Sequence, residues 1–200
     1  MDAASDRRLW ELSAAGDGDA FGSLFERHAN AVYTFCFRRT ASWVEAEDAM
    51  ADVFLVAWRR RGEVELADDS ASVLPWLYAV ALNVLRNRRR SAHRAARALA
   101  RVDRSSSVDD FADDVLGRLA DERTMRDILG VVESLPEHEQ DVLAVCAWAG
   151  VGYEEGAIAL GVPVGTVRSR LSRARAHLRE LVEASGHRGR NGKVRADDQR

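Results

Sequence analysis

Residues 153–178 read YEEGAIALGVPVGTVRSRLSRARAHL, and this stretch constrains the fold more than any other. It spells a short helix, a tight Gly-Val-Pro turn and a second helix loaded with arginine. Gly161 suits the left-handed position that ends a helix, and Pro163 suits the first position of the next. On the second helix Val167, Leu171, Ala174 and Leu178 recur at helical spacing and face inward. Thr166, Ser169, Arg170 and Arg173 then point the other way. Five arginines and no acid lie between Pro163 and Arg179. Short polar residues followed by arginines suit a helix lying in a DNA major groove.

Alanine, leucine and arginine dominate, proline is scarce and β-branched residues seldom alternate with polar ones, so the fold class is all-α. The net charge of −3 argues against a nucleic-acid partner, but its distribution answers the objection. Residues 86–94 carry five arginines and no acid, while acids gather at 45–52 and 109–122. Such a dipolar chain can bind DNA with basic faces and meet a protein with an acidic one. Cys36 and Cys146 lie in separate apolar stretches and read as buried free thiols. The histidines show no ligand spacing, so neither a metal nor another cofactor is expected. The N-terminus MDAASDRRLW is polar, and no run approaches the ~18 apolar residues of a spanning helix. These features predict a cytoplasmic protein without membrane insertion.

The pattern divides into a tail with a short helix (1–18), a helical block (19–93), a linker (94–121), a second helical block with the helix-turn-helix (122–184) and a polar, disordered tail (185–200). In the first block, WVEAEDAMADVFLVAWRRR (43–61) sets Asp48 and Asp52 four apart, on one helix face, beside Val53 and Phe54. It reads either as an acidic helix start stabilised by its dipole or as a docking face for a basic partner helix. PWLYAVALNVLRNRRRSAHR (75–94) puts Leu77, Ala81, Val84 and Leu85 on a core stripe and Trp76, Asn83, Arg86, Asn87 and Arg90 on a broad opposite face. Amides bond base edges and aromatics stack on unpaired bases, so this helix suits melted DNA. The alternative is a solvated arginine face with Trp76 in the core. Phe21, Phe25, Tyr33, Phe35 and Phe37 read as core.

Together DAFGSLFERHANAVYTFCFRRT, AEDAMADVFLVAW, PWLYAVALNVLRNRRR and LPEHEQDVLAVCAWAGVGYEEGAIALGVPVGTVRSRLSRARAHLRE resemble, in order, a bacterial sigma factor of the extracytoplasmic-function (ECF) type. The resemblance implies two helical domains, sigma regions two and four, joined by a flexible linker. It implies core RNA polymerase and promoter DNA as partners, an anti-sigma protein as regulator, and a free monomer. Region four would read the minus-thirty-five element through Thr166, Arg168, Ser169, Arg170, Arg173 and Arg175. Region two would handle the minus-ten element through Trp76 and Asn83, with Arg86, Asn87 and Arg90 behind them. Asp48, Asp52, Val53 and Phe54 would dock on the polymerase, and the acidic linker would enter its RNA path.

The chain departs from the family pattern at Ala51, where Gln is usual, which implies a weaker grip on polymerase. Leu82 and Asn87 replace a common Arg and Asp, implying an unusual minus-ten preference. Gly156 replaces Ile, and Ile158 takes a usually polar place. The expectation is a looser second block, or a partner contact at Ile158. A stand-alone helix-turn-helix regulator accounts for 122–184 but not for the acidic helix or the Trp-Asn-Arg helix. No nucleophile–base set or phosphate loop supports an enzyme.

Overall fold

The computed structural model describes residues 4–67, 71–99 and 114–194. Among them the chain is all-α, with eight α-helices and one π-helical turn. The first block holds α1 (Asp6–Ala14), α2 (Gly18–Thr40), α3 (Trp43–Arg60) and α4 (Leu74–Leu99). The second holds α5 (Asp114–Val132), α6 (Glu137–Val142) with a π-helical turn over Leu143–Trp148, α7 (Tyr153–Leu160) and α8 (Val164–Val194).

Side-chain caps set the starts of α1 to α3. Ser5 accepts the Arg8 amide at 3.2 Å, Asp17 accepts those of Asp19 and Ala20, and Ser42 accepts that of Glu45. Each satisfies a helix N–H that has no partner in its own helix. Gly161 closes α7 at φ 63°, as its position in the turn predicts. Two boundaries differ from expectation. The linker 94–121 is helical at both ends, while Asp109, Asp110 and Asp113 lie outside the described residues. Helix α8 runs on to Val194, into the segment whose composition reads as a tail. That segment contains no proline, and each of its three glycines costs a helix about 1 kcal/mol against alanine.

The helix-turn-helix has its own small core of Leu135, Val142, Leu143, Val167, Leu171 and Ala174. The larger core belongs to both blocks. It runs from Leu9 and Trp10 through Val53, Phe54, Leu77 and Leu82, and includes Ala144, Val145 and Ala159 of the second block. On α5, Leu129 and Val132 are buried and Ile128 is exposed. Both cysteines are free thiols, Cys36 buried and Cys146 half-buried. Burial pushes the Cys36 thiol up to about 12, against a smaller opposing pull from Arg88.

Helix α1 is tied down by Asp6. Its carboxylate accepts from Arg27 at 2.6 Å, Ser72 at 2.9 Å and the Val73 amide at 3.0 Å, and meets His28 at 2.7 Å. Burial opposes its ionisation. The bonds from His28, Val73 and Arg27, with the charge of His28, outweigh burial and hold the carboxyl well below the usual range. A depressed folded-state pKa stabilises the fold above the unfolded value of 3.8, and that contribution is lost as pH falls. Asp6→Asn therefore lowers stability at pH 7 and flattens the loss as pH falls below about 4, read from urea midpoints from pH 7 down to about pH 2.

The expected looseness at Gly156 is not what the packing shows. A β-carbon there would meet the Cys146 sulfur at 3.0 Å, with Val167 and Val145 methyls at 3.7 and 3.8 Å. Helix α7 approaches the π-helical turn so closely that glycine is fitted to the gap. Gly156→Ile overpacks this contact and costs about 1–3 kcal/mol. A chemical-denaturation curve for that variant that is unchanged or more stable would show that the gap is loose.

Candidate nucleic-acid interface

Helix α8 presents its arginines as its periodicity predicts. Val167, Leu171 and Ala174 are buried, so the outward faces follow from a 100° step per residue. Ser169 and Arg173 lie opposite the buried stripe and are exposed. Thr166 and Arg170 lie on one flank, half-buried, and Arg168 and Arg175 are exposed on the other. The Ser169 hydroxyl donates to the Thr166 carbonyl at 3.1 Å, and Arg173 donates to the Ser169 carbonyl at 3.3 Å. Helix α7 steers Arg168, which sits 5.3 Å over the Tyr153 ring and 3.9 Å from Glu154. Such spacing over a ring is attractive for a guanidinium.

The α4 residues divide. Asn83, Asn87 and Arg90 are exposed. Trp76 is half-buried and packs edge-on against Trp10, with centroids 5.3 Å apart, so its ring is partly covered by α1. Arg86 is not a solvated cation. Its Nη2 donates to Asp141, and its Nε lies 3.2 Å from Glu137, both on α6. The same Asp141 faces Arg39 at 3.4 Å. A groove of about 810 Å³ opens beside this contact, with Arg39, Arg88, Arg89, Arg90 and His93 on one wall and Glu133 and Glu137 on the other.

On α3 the acidic pair is on the surface and the apolar pair is not. Asp48 and Asp52 side chains are 64% and 46% exposed. Arg88 of α4 reaches Asp52 at 2.6 Å and Asp48 at 3.8 Å. Val53 and Phe54 are 0% and 6% exposed, which removes them from any docking face. Phe54 packs edge-on against Phe25 at 4.7 Å and Phe21 at 6.3 Å. The apolar partner of the acids is Leu55, 52% exposed, with Val44 at 71% one end further. Valine and phenylalanine side by side cannot both share the face of Asp48 and Asp52, because successive residues turn by 100°.

Sequence reasoning missed Arg39, Arg88, Glu122, Glu137 and Asp141 as site residues. Arg39 and Asp141 are separated by 102 positions, so no local pattern pairs them. Among the described residues no group of three metal-binding side chains occurs, and no helix is long and apolar enough to cross a membrane.

A helix-turn-helix with an acid-free cationic face, joined to a basic amide-bearing helix and an exposed acidic ridge, defines a DNA-binding subunit of transcription machinery. The sigma-70 region 2 model matches residues 24–95, and the sigma-70 region 4 model matches residues 125–178. The RNA polymerase sigma factor NccH of Alcaligenes xylosoxydans xylosoxydans is 28% identical over 92% of this chain and 98% of its own. The ECF sigma factor SigM of Mycobacterium tuberculosis (strain H37Rv) is 30% identical over 89% and 85%. The solved structure of CnrH in complex with the cytosolic domain of CnrY matches with a TM-score of 0.65 at 25% identity, covering 90% of this chain and 97% of that one.

The chain belongs to the sigma-70 family, in its ECF group. It is not an enzyme: it acts with core RNA polymerase to direct promoter-specific transcription initiation. Region two lies in the first block, over residues 24–95, and region four in the second, over residues 125–178.

The burial of Phe54 makes a distinct prediction. Phe54→Ala destabilises the fold by about 3–5 kcal/mol, as a core aromatic truncation does. Thermal unfolding checks it; a variant that keeps its melting temperature but loses polymerase would return Phe54 to the docking face.

Proposed function

We propose that region four reads the minus-thirty-five element as duplex while region two opens and holds the minus-ten element. The observation that carries this reading is the outward face of α8. Its Thr166, Ser169 and Arg173 project from the second helix of a helix-turn-helix, with no acid between Pro163 and Arg179. Arg170 and Arg173 take base edges in the major groove, where guanidinium pairs with guanine. Arg168 and Arg175, on the flank toward α7, take phosphates.

In region two, Asn83, Asn87 and Arg90 line the exposed face of α4 and take the opened strand. Arg86 joins them when it leaves α6, and Trp76 backs the strand at the edge of that face. The ridge of Asp48, Asp52 and Leu55 docks on core polymerase, with Ala51 between the acids and Leu55 in place of a longer polar side chain. The factor works in the cytoplasm, on the nucleoid when in holoenzyme. An anti-sigma protein restrains it.

The test is run-off transcription with purified core polymerase on a genomic promoter library. Transcripts starting a fixed distance from a shared two-part motif support the reading. DNA binding without transcripts overturns it in favour of a stand-alone regulator. In the same assay Arg170→Ala loses about 1–3 kcal/mol of discrimination at one base position of the upstream motif. A uniform loss across all sequences would make Arg170 a phosphate contact.

A further inference from the structure

The two regions are closed onto each other, and the closing contact uses a residue that strand binding needs. Asp141 is 3% exposed, and its carboxylate is shared between Arg86 and Arg39. Glu137 flanks the same Arg86 from solvent, its side chain 59% exposed. Further bonds close the seam. Arg38 donates to the Trp148 carbonyl, and the Trp43 amide at the start of α3 donates to Glu122 of α5 at 2.8 Å. Behind the polar contacts Leu82 lies in the buried cluster that also takes in Ala144, Val145 and Ala159.

We propose that α6 is an internal competitor of DNA, its Asp141 and Glu137 carboxylates occupying Arg86 where a strand phosphate would otherwise bind. The inference rests on the reading of α4 as the strand-binding helix. A guanidinium forms the same charge-assisted pairs with carboxylate and phosphate, so one occupant excludes the other. The closed form is thus a masked state, in which α8 keeps its outward face while region two withholds Arg86.

Distance makes the opening obligatory. Elements centred near −35 and −10 lie about 25 base pairs apart, or roughly 85 Å at 3.4 Å per pair. A compact chain of 200 residues has a radius of gyration of about 16 Å and is about 40 Å across. The closed chain cannot reach both elements. Residues 100–113, between α4 and the start of α5, span at most about 50 Å when extended. Separated regions therefore reach both elements, and separation breaks the Arg86–Asp141 pair.

The test uses the full chain and Glu137→Arg, which sets a like charge against Arg86 at an exposed position and leaves Asp141 paired with Arg39. Two readouts are taken: the radius of gyration by small-angle scattering, and affinity for a fluorescein-labelled single-stranded oligonucleotide carrying the minus-ten motif found by run-off. Glu63→Arg, an exposed reversal on the α3–α4 connection, is the charge-matched control, and circular dichroism confirms helicity. The expected result is a larger radius and an affinity about tenfold above the control, with the gain abolished when Arg86→Ala is added. An unchanged radius, or an affinity no better than Glu63→Arg, overturns the competition. Arg86→Ala in holoenzyme separates the two failures. Lost transcription keeps the reading of α4 and condemns the latch alone, whereas normal transcription condemns the reading itself.

Discussion

A carboxylate removed from water must find cations and donors close by, and among the described residues Asp141 finds them on the other region. Arg39 and Arg86 supply both, and their positions on α2 and α4 fix where α6 can sit. Arg39 shares the constraint. Its burial pulls the guanidinium down from its usual range, and Asp141 is the principal force resisting that. Buried ion pairs of this kind seldom add much net stability, but deleting one partner strands the other, so they fix register.

That register decides which surfaces remain available. The α3 ridge of Asp48, Asp52 and Leu55 and the outward face of α8 both stay on the surface of the closed form. Arg86 is engaged, and Trp76 is partly covered by Trp10. Under the roles proposed for these faces, polymerase docking and upstream recognition are compatible with closure, and full strand engagement is not. Regulation through closure needs no additional element, because the charge that holds the regions together belongs to a residue suited to DNA.

Close local fitting recurs elsewhere in the chain. At Gly156 a β-carbon would come within 3.0 Å of the Cys146 sulfur, a tight approach between α7 and the π-helical turn. Asp6 is held by groups from α2 and from the start of α4, which pins the N-terminal helix beside the α3–α4 connection. In both places the residue type looks unremarkable along the chain and is explained only by what lies opposite it.

Most helices, the turn at Gly161 and the outward face of α8 were legible along the chain, though the linker and the end of α8 were not. The legible features depend on local caps, on φ preferences and on a 3.6-residue period that survives without neighbours. The sequence by itself also placed Asp48 and Asp52 on the surface of α3. It misplaced Val53 and Phe54, since adjacency along the chain was taken for adjacency on a face. Nothing in the sequence distinguished Arg86 from Arg90, because both lie in one arginine run. Only the tertiary structure separated them, by bringing α6 against α4 and giving one of the two a buried carboxylate. A pairing across 55 positions, as between Arg86 and Asp141, leaves no periodic trace, so the state of such a charge is decided by packing.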